Sequence, residues 1–304
     1  MNTAPPPPAF LGLDAGGTQT RWALADANGL LLRQGQTAGL SALQLHDPAG
    51  RAAVAAVLRE IAASTGPVQA LVAGVTGFDT PQLQLLLKSV VEAFAIGTTA
   101  VLAMSDIELA CHAAFAPGQG YVLYAGTGSI AAYVDEQRLL HRAGGRGVLI
   151  DDAGGGHWIA CQALRQVWRA EDAAPGAWQD SPLAQQLFAQ MGGSDWAHTR
   201  QWVYGASRGA VGTLALAVAA AAAQGDAAAL AILQAAGIEL ARLARALMAR
   251  HGPRPLALAG RVFDLHPSIQ AQLQDSLPAG TVLARKAEAA HIEAARMASR
   301  RTVP

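Results

Sequence analysis

The sequence predicts an α/β fold made of two similar domains with a cleft between them. The chain has 304 residues, which is more than one domain usually contains. Short apolar runs alternate with segments of helical spacing, as in folds that pack helices on a sheet. A pattern of strand, glycine-rich turn, strand, turn and strand occurs twice, about 110 residues apart, which indicates duplication of one module.

The first half alternates strands with helices after a proline-rich lead over residues 1–9, which we expect to be disordered. Asn28-Gly29 has the composition of a hairpin turn, so the domain opens as an antiparallel meander. The predicted strands cover residues 10–14, 21–26, 30–36, 69–75 and 100–104, and the predicted helices cover 51–64, 81–94 and 107–115.

The linker at residues 117–120, PGQG, marks the boundary between the domains. We expect the first domain to span residues 10–118 and the second to span 119–286, with a final helix at 287–300 packing back on the first domain. The second domain repeats the meander and then becomes alanine-rich and largely helical. Its predicted strands cover residues 121–124, 130–134, 139–140 and 256–258.

The composition narrows the classes of partner. Lys and Arg balance Asp and Glu at 22 each, so the chain has no general electrostatic attraction for nucleic acid or an anionic membrane. No secretory signal is visible, and the apolar run at 214–223 is too short to span a bilayer, so we expect a cytoplasmic protein. Cys111 and Cys161 are either two small buried thiols or ligands of a cluster shared between subunits.

The first glycine-rich turn is a candidate phosphate site. Gly16 and Gly17 let backbone N–H groups point at one place without an intervening side chain, and Thr18 adds a hydroxyl donor. Asp14, at the end of the preceding strand, could hold Mg²⁺ through its water shell. An ordinary tight hairpin is the alternative.

The second turn, Gly126-Thr127-Gly128, has the same character and would bind the polyphosphate from the opposite wall of the cleft. Asp106 lies between the two turns in sequence, at the end of a strand where ligands bind in α/β folds. It is a candidate general base for an attacking hydroxyl, or else a helix N-cap.

A long glycine-rich crossing at residues 144–156 precedes a predicted helix, and its backbone must approach something closely, unless it is simply a flexible loop. The sequence lacks the P-loop pattern, a dinucleotide-binding GxGxxG at a strand–helix junction, and the HExxH zinc spacing. The sequence therefore excludes a P-loop nucleotide-binding enzyme, a Rossmann-type dinucleotide-binding enzyme and a zinc enzyme of the HExxH class.

Together these stretches resemble a known superfamily. LGLDAGGTQT at 11–20 and YAGTGS at 124–129 resemble the two phosphate motifs of the actin–hexokinase superfamily, and LALAGRV at 256–262 is similar to its adenosine motif. Ser105-Asp106 and the segment from Gly144 to Ala160 resemble the N-acetylglucosamine kinase branch of the BadF/BadG/BcrA/BcrD ATPase family. The resemblance covers roughly residues 10–298.

The resemblance implies two RNase-H-like domains that close over ATP, Mg²⁺ and an amino sugar, usually as a homodimer. It implies that Asp106 is the general base that activates the sugar 6-hydroxyl and that Asp14 lies beside Mg²⁺. The implied nucleotide-binding residues are Asp14, Gly16, Gly17, Thr18, Thr20, Gly126, Thr127, Gly128 and Gly260. The implied sugar-binding residues are Thr76, Asp106, Gly145 and Asp152.

The chain departs from the family pattern at several sugar-side positions. The family's Gly-Asp-Glu-Gly is replaced at residues 151–154, and Leu43 and Ile130 stand where eukaryotic members carry asparagine. His291 and Glu293 replace small residues at the start of the final helix. N-acetylglucosamine is the expected acceptor, with glucosamine and N-acetylmuramic acid as alternatives.

Two other functions remain open at this point. One is the iron–sulfur ATPase activator of a dehydratase or reductase, whose characteristic cysteine precedes the second phosphate loop, where this chain has Leu123 and Tyr124. The other is a sugar sensor without catalytic activity.

Overall fold

The computed structural model describes residues 8–78, 80–285 and 289–301. Residues 1–7 of the predicted lead at 1–9 lie outside the described residues, as do residues 287 and 288 at the start of the predicted final helix. The described chain contains two five-stranded mixed sheets with helices packed on them, which confirms the predicted α/β fold.

The strands and helices follow the predicted order. The strands are β1 Phe10–Ala15, β2 Gln19–Ala25, β3 Leu31–Ala38, β4 Ala70–Val75, β5 Val101–Ser105, β6 Tyr121–Ala125, β7 Ser129–Val134, β8 Leu140–Gly144, β9 Leu256–Ala259 and β10 Leu283–Arg285. The helices are α1 Pro48–Thr65, α2 Thr80–Phe94, α3 Asp106–Ala114, α4 Gly156–Ala173, α5 Pro182–Met191, α6 Trp196–Gly205, α7 Arg208–Thr213, α8 Ala215–Ala223, α9 Ala227–His251, α10 Pro267–Ser276 and α11 Ala290–Ser299. Strand β10 has no counterpart in the sequence prediction, because three residues are too few to show a periodicity.

The described residues form two compact units. The first contains the residues up to Gly118 together with the described part of the C-terminal segment, and the second begins at Gln119 and ends before that segment. Each unit therefore has its own sheet and its own apolar core.

The two sheets have the same topology. The first has the order β3-β2-β1-β4-β5, and the second, taken from its opposite edge, has the order β8-β7-β6-β9-β10. In each, a three-stranded antiparallel meander is followed by a strand that pairs in parallel with the first strand of the meander. The repeated turn pattern in the sequence thus corresponds to a repeated sheet.

Helix α11 packs on the first sheet at very short range. A Cβ atom on Gly12 of β1 would lie 2.2 Å from the backbone N of Ala295 and 2.2 Å from the backbone O of His291. The facing side chains on the helix are small, and Ala294, Ala295 and Ala298 are completely buried. Glycine on the strand and alanine on the helix therefore allow the two backbones to approach.

Among the described helices, α9 is long and apolar enough to span a membrane by length and composition. The apolar run predicted at 214–223 is not this helix, and α9 is 25 residues long with polar and charged residues among its small and apolar ones. Leu233, Leu240 and Leu247 of α9 are fully buried and belong to the core of the second unit. A single helix of this kind is weak evidence for a membrane span, because the core helix of a soluble protein meets the same criterion.

Candidate active site

The first glycine-rich turn links β1 to β2 in the first unit. Its backbone closes through a hydrogen bond from Gly16 N–H to the Gln19 carbonyl, 3.0 Å long. Gly17 is exposed, and no atom lies within 4 Å of the position that its Cβ would occupy. Thr18 is also exposed. The turn therefore presents open backbone and one hydroxyl to an incoming anion, as a phosphate site requires.

A second segment supports this turn from behind. Leu40 N–H donates to the Gly16 carbonyl at 3.0 Å, and a Cβ on Gly39 would lie 2.3 Å from the Gly17 carbonyl oxygen. Gly39 thus supports the turn, a role that the sequence alone does not predict. A lone glycine after a strand was its only signal.

Thr20 occupies a different environment from the rest of its motif. Its side chain on β2 is fully buried, and its hydroxyl has no hydrogen-bond partner within the described part of the chain. Thr20 pairs with Ala15 in the sheet, and its side chain is closed off from solvent in this structure.

Asp14 is half-buried near the carboxyl end of β1. No group of three or more His, Cys, Asp or Glu side chains able to hold a metal ion occurs among the described residues. A single carboxylate such as that of Asp14 fits Mg²⁺, which needs only one or two carboxylates when nucleotide oxygens and water complete its shell. Asp14 is the residue that would hold the ion.

Asp106 and Thr76 meet at the same edge of the first sheet. Ala15, Val75 and Ser105 are neighbours across the three parallel strands β1, β4 and β5. The residues that follow them, including Thr76 and Asp106, therefore leave the sheet side by side. The Thr76 hydroxyl hydrogen-bonds to the Asp106 carboxylate.

Asp106 is also the first residue of α3. Ser105 caps this helix by accepting a hydrogen bond from Glu108 N–H, so Asp106 is not required for the side-chain cap. One oxygen of Asp106 accepts from Ile107 N–H at 2.8 Å. Burial raises the pKa of Asp106 above its ordinary value of 3.8, although the hydrogen bonds from Thr76 and Ile107 oppose this shift. A carboxyl group with a raised pKa is a stronger base when ionised, as proton abstraction requires.

Replacing Thr76 by Val tests this environment. The Thr76 hydroxyl stabilises the carboxylate, so its removal should raise the pKa of Asp106 further. If ionised Asp106 is needed for turnover, kcat falls as the pH drops through this pKa. The acid limb of the kcat–pH profile should therefore move to higher pH in Thr76→Val and stay in place in the exposed control Thr98→Val. An unchanged acid limb in both variants would show that Asp106 does not set it.

A short 3₁₀ helix, Ala42–His46, begins beside Thr76. Ala42 N–H and the Ser41 hydroxyl both donate to the Thr76 carbonyl, at 3.0 and 3.2 Å. Leu43 lies over Gly77, where an added Cβ would be 2.7 Å from Leu43 Cγ. Leu43, which replaces a family asparagine, is therefore held close to Thr76.

The second glycine-rich turn, in the second unit, is enclosed by the start of α4. Gly156 N–H donates to the Gly126 carbonyl at 2.7 Å, and His157 N–H donates to the Thr127 carbonyl at 3.0 Å. A Cβ on Gly155 would lie 2.8 Å from Gly128 Cα. The turn and the helix N-terminus thus form one tightly packed backbone assembly, which explains several glycines of the 144–156 crossing.

Asp152 and Gly145 lie beside this second turn. A Cβ on Gly128 would be 2.2 Å from Asp152 Oδ2, while Asp152 Oδ1 accepts from Gly147 N–H at 3.0 Å. Gly145 N–H donates to the Ser129 carbonyl at 3.0 Å. Burial raises the pKa of Asp152, against the hydrogen bond from Gly147. The two predicted sugar-side residues of the second unit are therefore brought together with Gly128.

Gly260 also lies beside the second glycine-rich turn. It follows β9 with a φ of +95°, and a Cβ there would lie 2.2 Å from the Ala125 carbonyl oxygen. The predicted adenosine motif and the second turn are therefore adjacent. Gly212 of α7 joins them from the other side, where its Cβ position is 3.5 Å from Thr127 Cγ2. Gly212 is not predictable from the sequence, because nothing in an alanine-rich helical region signals a tertiary contact.

The two cysteines are in different units and neither forms a disulfide. Cys111 is buried in α3, and Cys161 lies in α4 with its sulfur 3.5 Å from His157 Nδ1. Burial raises the pKa of the Cys161 thiol, which disfavours the thiolate that a metal or cluster would need.

Comparison with known proteins decides the family. The sequence model of the BadF/BadG/BcrA/BcrD ATPase family matches residues 11–283, which is most of the chain. The chain belongs to the BadF/BadG/BcrA/BcrD ATPase family. The family predicted from the phosphate motifs is thereby confirmed.

The chain is 26% identical over 176 residues to an N-acetyl-D-glucosamine kinase of Dictyostelium discoideum. That match covers 54% of this chain and spans only 55% of the relative's length.

Solved structures resemble the whole chain. A crystal structure from Chromobacterium violaceum, described as that of a proposed N-acetylglucosamine kinase, is 25% identical with a TM-score of 0.75, covering 97% of this chain and 100% of that one. A ROK family glucokinase from Streptomyces griseus, in complex with glucose and AMPPNP, has 17% identity and a TM-score of 0.60, covering 95% and 98%. The glucokinase shows a shared fold, and with the first structure it places this member of the ATPase family among actin-like sugar kinases by architecture.

Proposed function

We propose that this chain is an ATP-dependent amino-sugar kinase that converts N-acetylglucosamine to its 6-phosphate. The observation that supports this most strongly is the placement of Asp106. It is a half-buried residue whose carboxyl group has a raised pKa, held by Thr76 at the same sheet edge as the first glycine-rich turn.

Asp106 would act on the acceptor. Its carboxylate takes the proton from the sugar 6-hydroxyl while that oxygen forms a bond to the γ-phosphorus and the bond from phosphorus to the ADP oxygen breaks. The proton ends on Asp106, and the products are the sugar phosphate and ADP. Thr76 would keep the carboxylate oriented through the hydrogen bond that its hydroxyl already makes.

The two glycine-rich turns would bind the phosphates of ATP. In the first turn the proposed phosphate-binding residues are Gly16, Gly17 and Thr18, and in the second turn they are Gly126, Thr127 and Gly128. Backbone N–H groups are suited to this role because they are fixed before the reaction and need no reorganisation as charge develops. Mg²⁺, next to Asp14, would neutralise charge on the transferred phosphoryl group when bound.

Sugar recognition would involve Thr76, Gly145 and Asp152. The support for N-acetylglucosamine comes from the names of the relatives in Dictyostelium and Chromobacterium. Glucosamine and N-acetylmuramic acid are the alternative acceptors, because Leu43 and Ile130 replace polar residues on the sugar side. We further propose that the protein acts in the cytoplasm as a homodimer.

A coupled ADP-release assay tests the proposal. Purified protein is given Mg-ATP with glucose, glucosamine, N-acetylglucosamine or N-acetylmuramic acid, with sugar-free and EDTA-treated reactions as controls. We expect kcat/KM to be highest for N-acetylglucosamine and ADP release without sugar to be low. ADP release that is the same with and without every sugar would reject the kinase and favour a plain ATPase.

A further inference from the structure

The candidate phosphate-binding residues have one conspicuous feature: none of them is a lysine or an arginine. Glycine-rich turns supply backbone N–H groups, but enzymes that transfer phosphoryl groups commonly add a fixed cation. The fold places one such residue beside the second turn, although the sequence gives no motif for it.

Arg208 is the first residue of α7, which runs Arg208–Thr213. It precedes Gly212 by four positions, and residues at this spacing share one face of a helix. Gly212 faces the second turn, since its Cβ position is 3.5 Å from Thr127 Cγ2 and 3.4 Å from His157 N. Arg208 therefore lies on the side of α7 that faces Thr127 and His157.

The electrostatics of His157 support the same placement. Burial lowers the pKa of His157, and the positive charge of Arg208 lowers it further, whereas the carboxylate of Asp152 opposes both. Arg208 therefore acts on a residue whose own backbone N–H is bonded to the Thr127 carbonyl.

The guanidinium of Arg208 is available to a ligand. Arg208 is exposed, and it makes no hydrogen bond or ion pair with any other side chain in the described ranges. Arg242, on α9 of the same unit, is by contrast engaged by Asp151 and Glu239. An exposed arginine without a carboxylate partner, on a helix that contacts a glycine-rich turn, favours an anion.

We infer that Arg208 binds the phosphates of the nucleotide that the second glycine-rich turn holds. This inference rests on the proposed function, because it takes the second turn to be a phosphate site. Its guanidinium can donate two parallel hydrogen bonds to phosphate oxygens, and its charge offsets theirs. Arg208 would act as a positioning residue for ATP and would have no role in sugar binding.

The test is nucleotide binding, measured by isothermal titration calorimetry with no sugar present. Arg208→Gln should raise the Kd for Mg-ATP by about 10-fold or more, since one charge-assisted contact is lost. The Kd for adenosine should not change, and Arg208→Lys should restore part of the affinity for Mg-ATP. The matched control is Arg169→Gln, which removes an exposed arginine from α4, 12 residues beyond His157.

Three results would overturn the inference. One is an equal Kd for Mg-ATP in Arg208→Gln and Arg169→Gln, and another is an equal loss of affinity for adenosine and Mg-ATP. The third is an NMR titration in which the pKa of His157 fails to rise in Arg208→Gln, because the two groups would then not be close. A wild-type protein that binds Mg-ATP through Arg208 but phosphorylates no sugar would reject the proposed function and leave this inference intact.

Discussion

Replacing Asp106 by Asn should lower kcat for sugar phosphorylation by about 10²–10⁴-fold, the usual contribution of general-base catalysis. The amide has nearly the same shape and keeps the Thr76 hydroxyl and Ile107 N–H within reach, but it cannot accept the acceptor's proton. Mg-ATP affinity should change little, because Asp106 lies at the acceptor side. The coupled ADP-release assay gives kcat, and isothermal titration calorimetry gives the Kd for Mg-ATP.

Glu108→Gln is the matched control for this prediction. Glu108 is an acidic residue in the first turn of the same helix, and it lies outside the proposed catalytic group. Its replacement should leave kcat close to the wild-type value. If Asp106→Asn retained wild-type turnover, or if both variants lost activity equally, Asp106 would not be the base.

Replacing Gly12 by Ala should destabilise the first unit by about 3 kcal/mol, at the upper end of what one inserted methyl group costs in a packed site. The new Cβ would lie 2.2 Å from two backbone atoms of α11, at Ala295 and His291, and backbone cannot rotate away as a side chain can. The strand and the helix must therefore separate. Hydrogen exchange followed by mass spectrometry should show faster exchange in α11, and the denaturant midpoint should fall.

Gly97→Ala provides the comparison. Gly97 belongs to the same unit, has an ordinary φ of −69°, and its added Cβ would meet nothing nearer than the Thr99 hydroxyl at 3.7 Å. Exchange in α11 should be the same as in the wild type. Unchanged exchange in Gly12→Ala as well would mean that α11 is not packed on β1 as described.

Much of the architecture is predictable from local patterns. The strands that flank each glycine-rich turn are short apolar runs bounded by clear turn residues, and the structure places them within a residue or two of the predicted bounds. The repeat of the meander was visible because glycine and threonine recur at equivalent points. The equal strand order of the two sheets follows from that repeat, and no single element shows it.

The site was predictable only in part, because several contacts are tertiary. Asp106 could be singled out because it ends a strand and begins a helix. That Thr76 hydrogen-bonds to it depends on the parallel register of β4 and β5, which sequence spacing does not give. Arg208 and Gly212 lie in an alanine-rich helical region, where one arginine resembles any solvated residue until the fold shows that Gly212, four residues on, contacts Thr127. Thr20 shows the converse, since it belongs to a phosphate motif yet is buried.

We propose that this chain transfers a phosphoryl group from ATP to the 6-hydroxyl of an amino sugar. Phosphorus-31 NMR of a reaction with Mg-ATP and N-acetylglucosamine tests it most directly, because the spectrum reports where the phosphate goes. The predicted result is a phosphomonoester signal coupled to the protons on C6, growing as ADP forms. A spectrum in which ADP is accompanied only by inorganic phosphate, here and when each of the other three sugars replaces N-acetylglucosamine, would contradict the proposal.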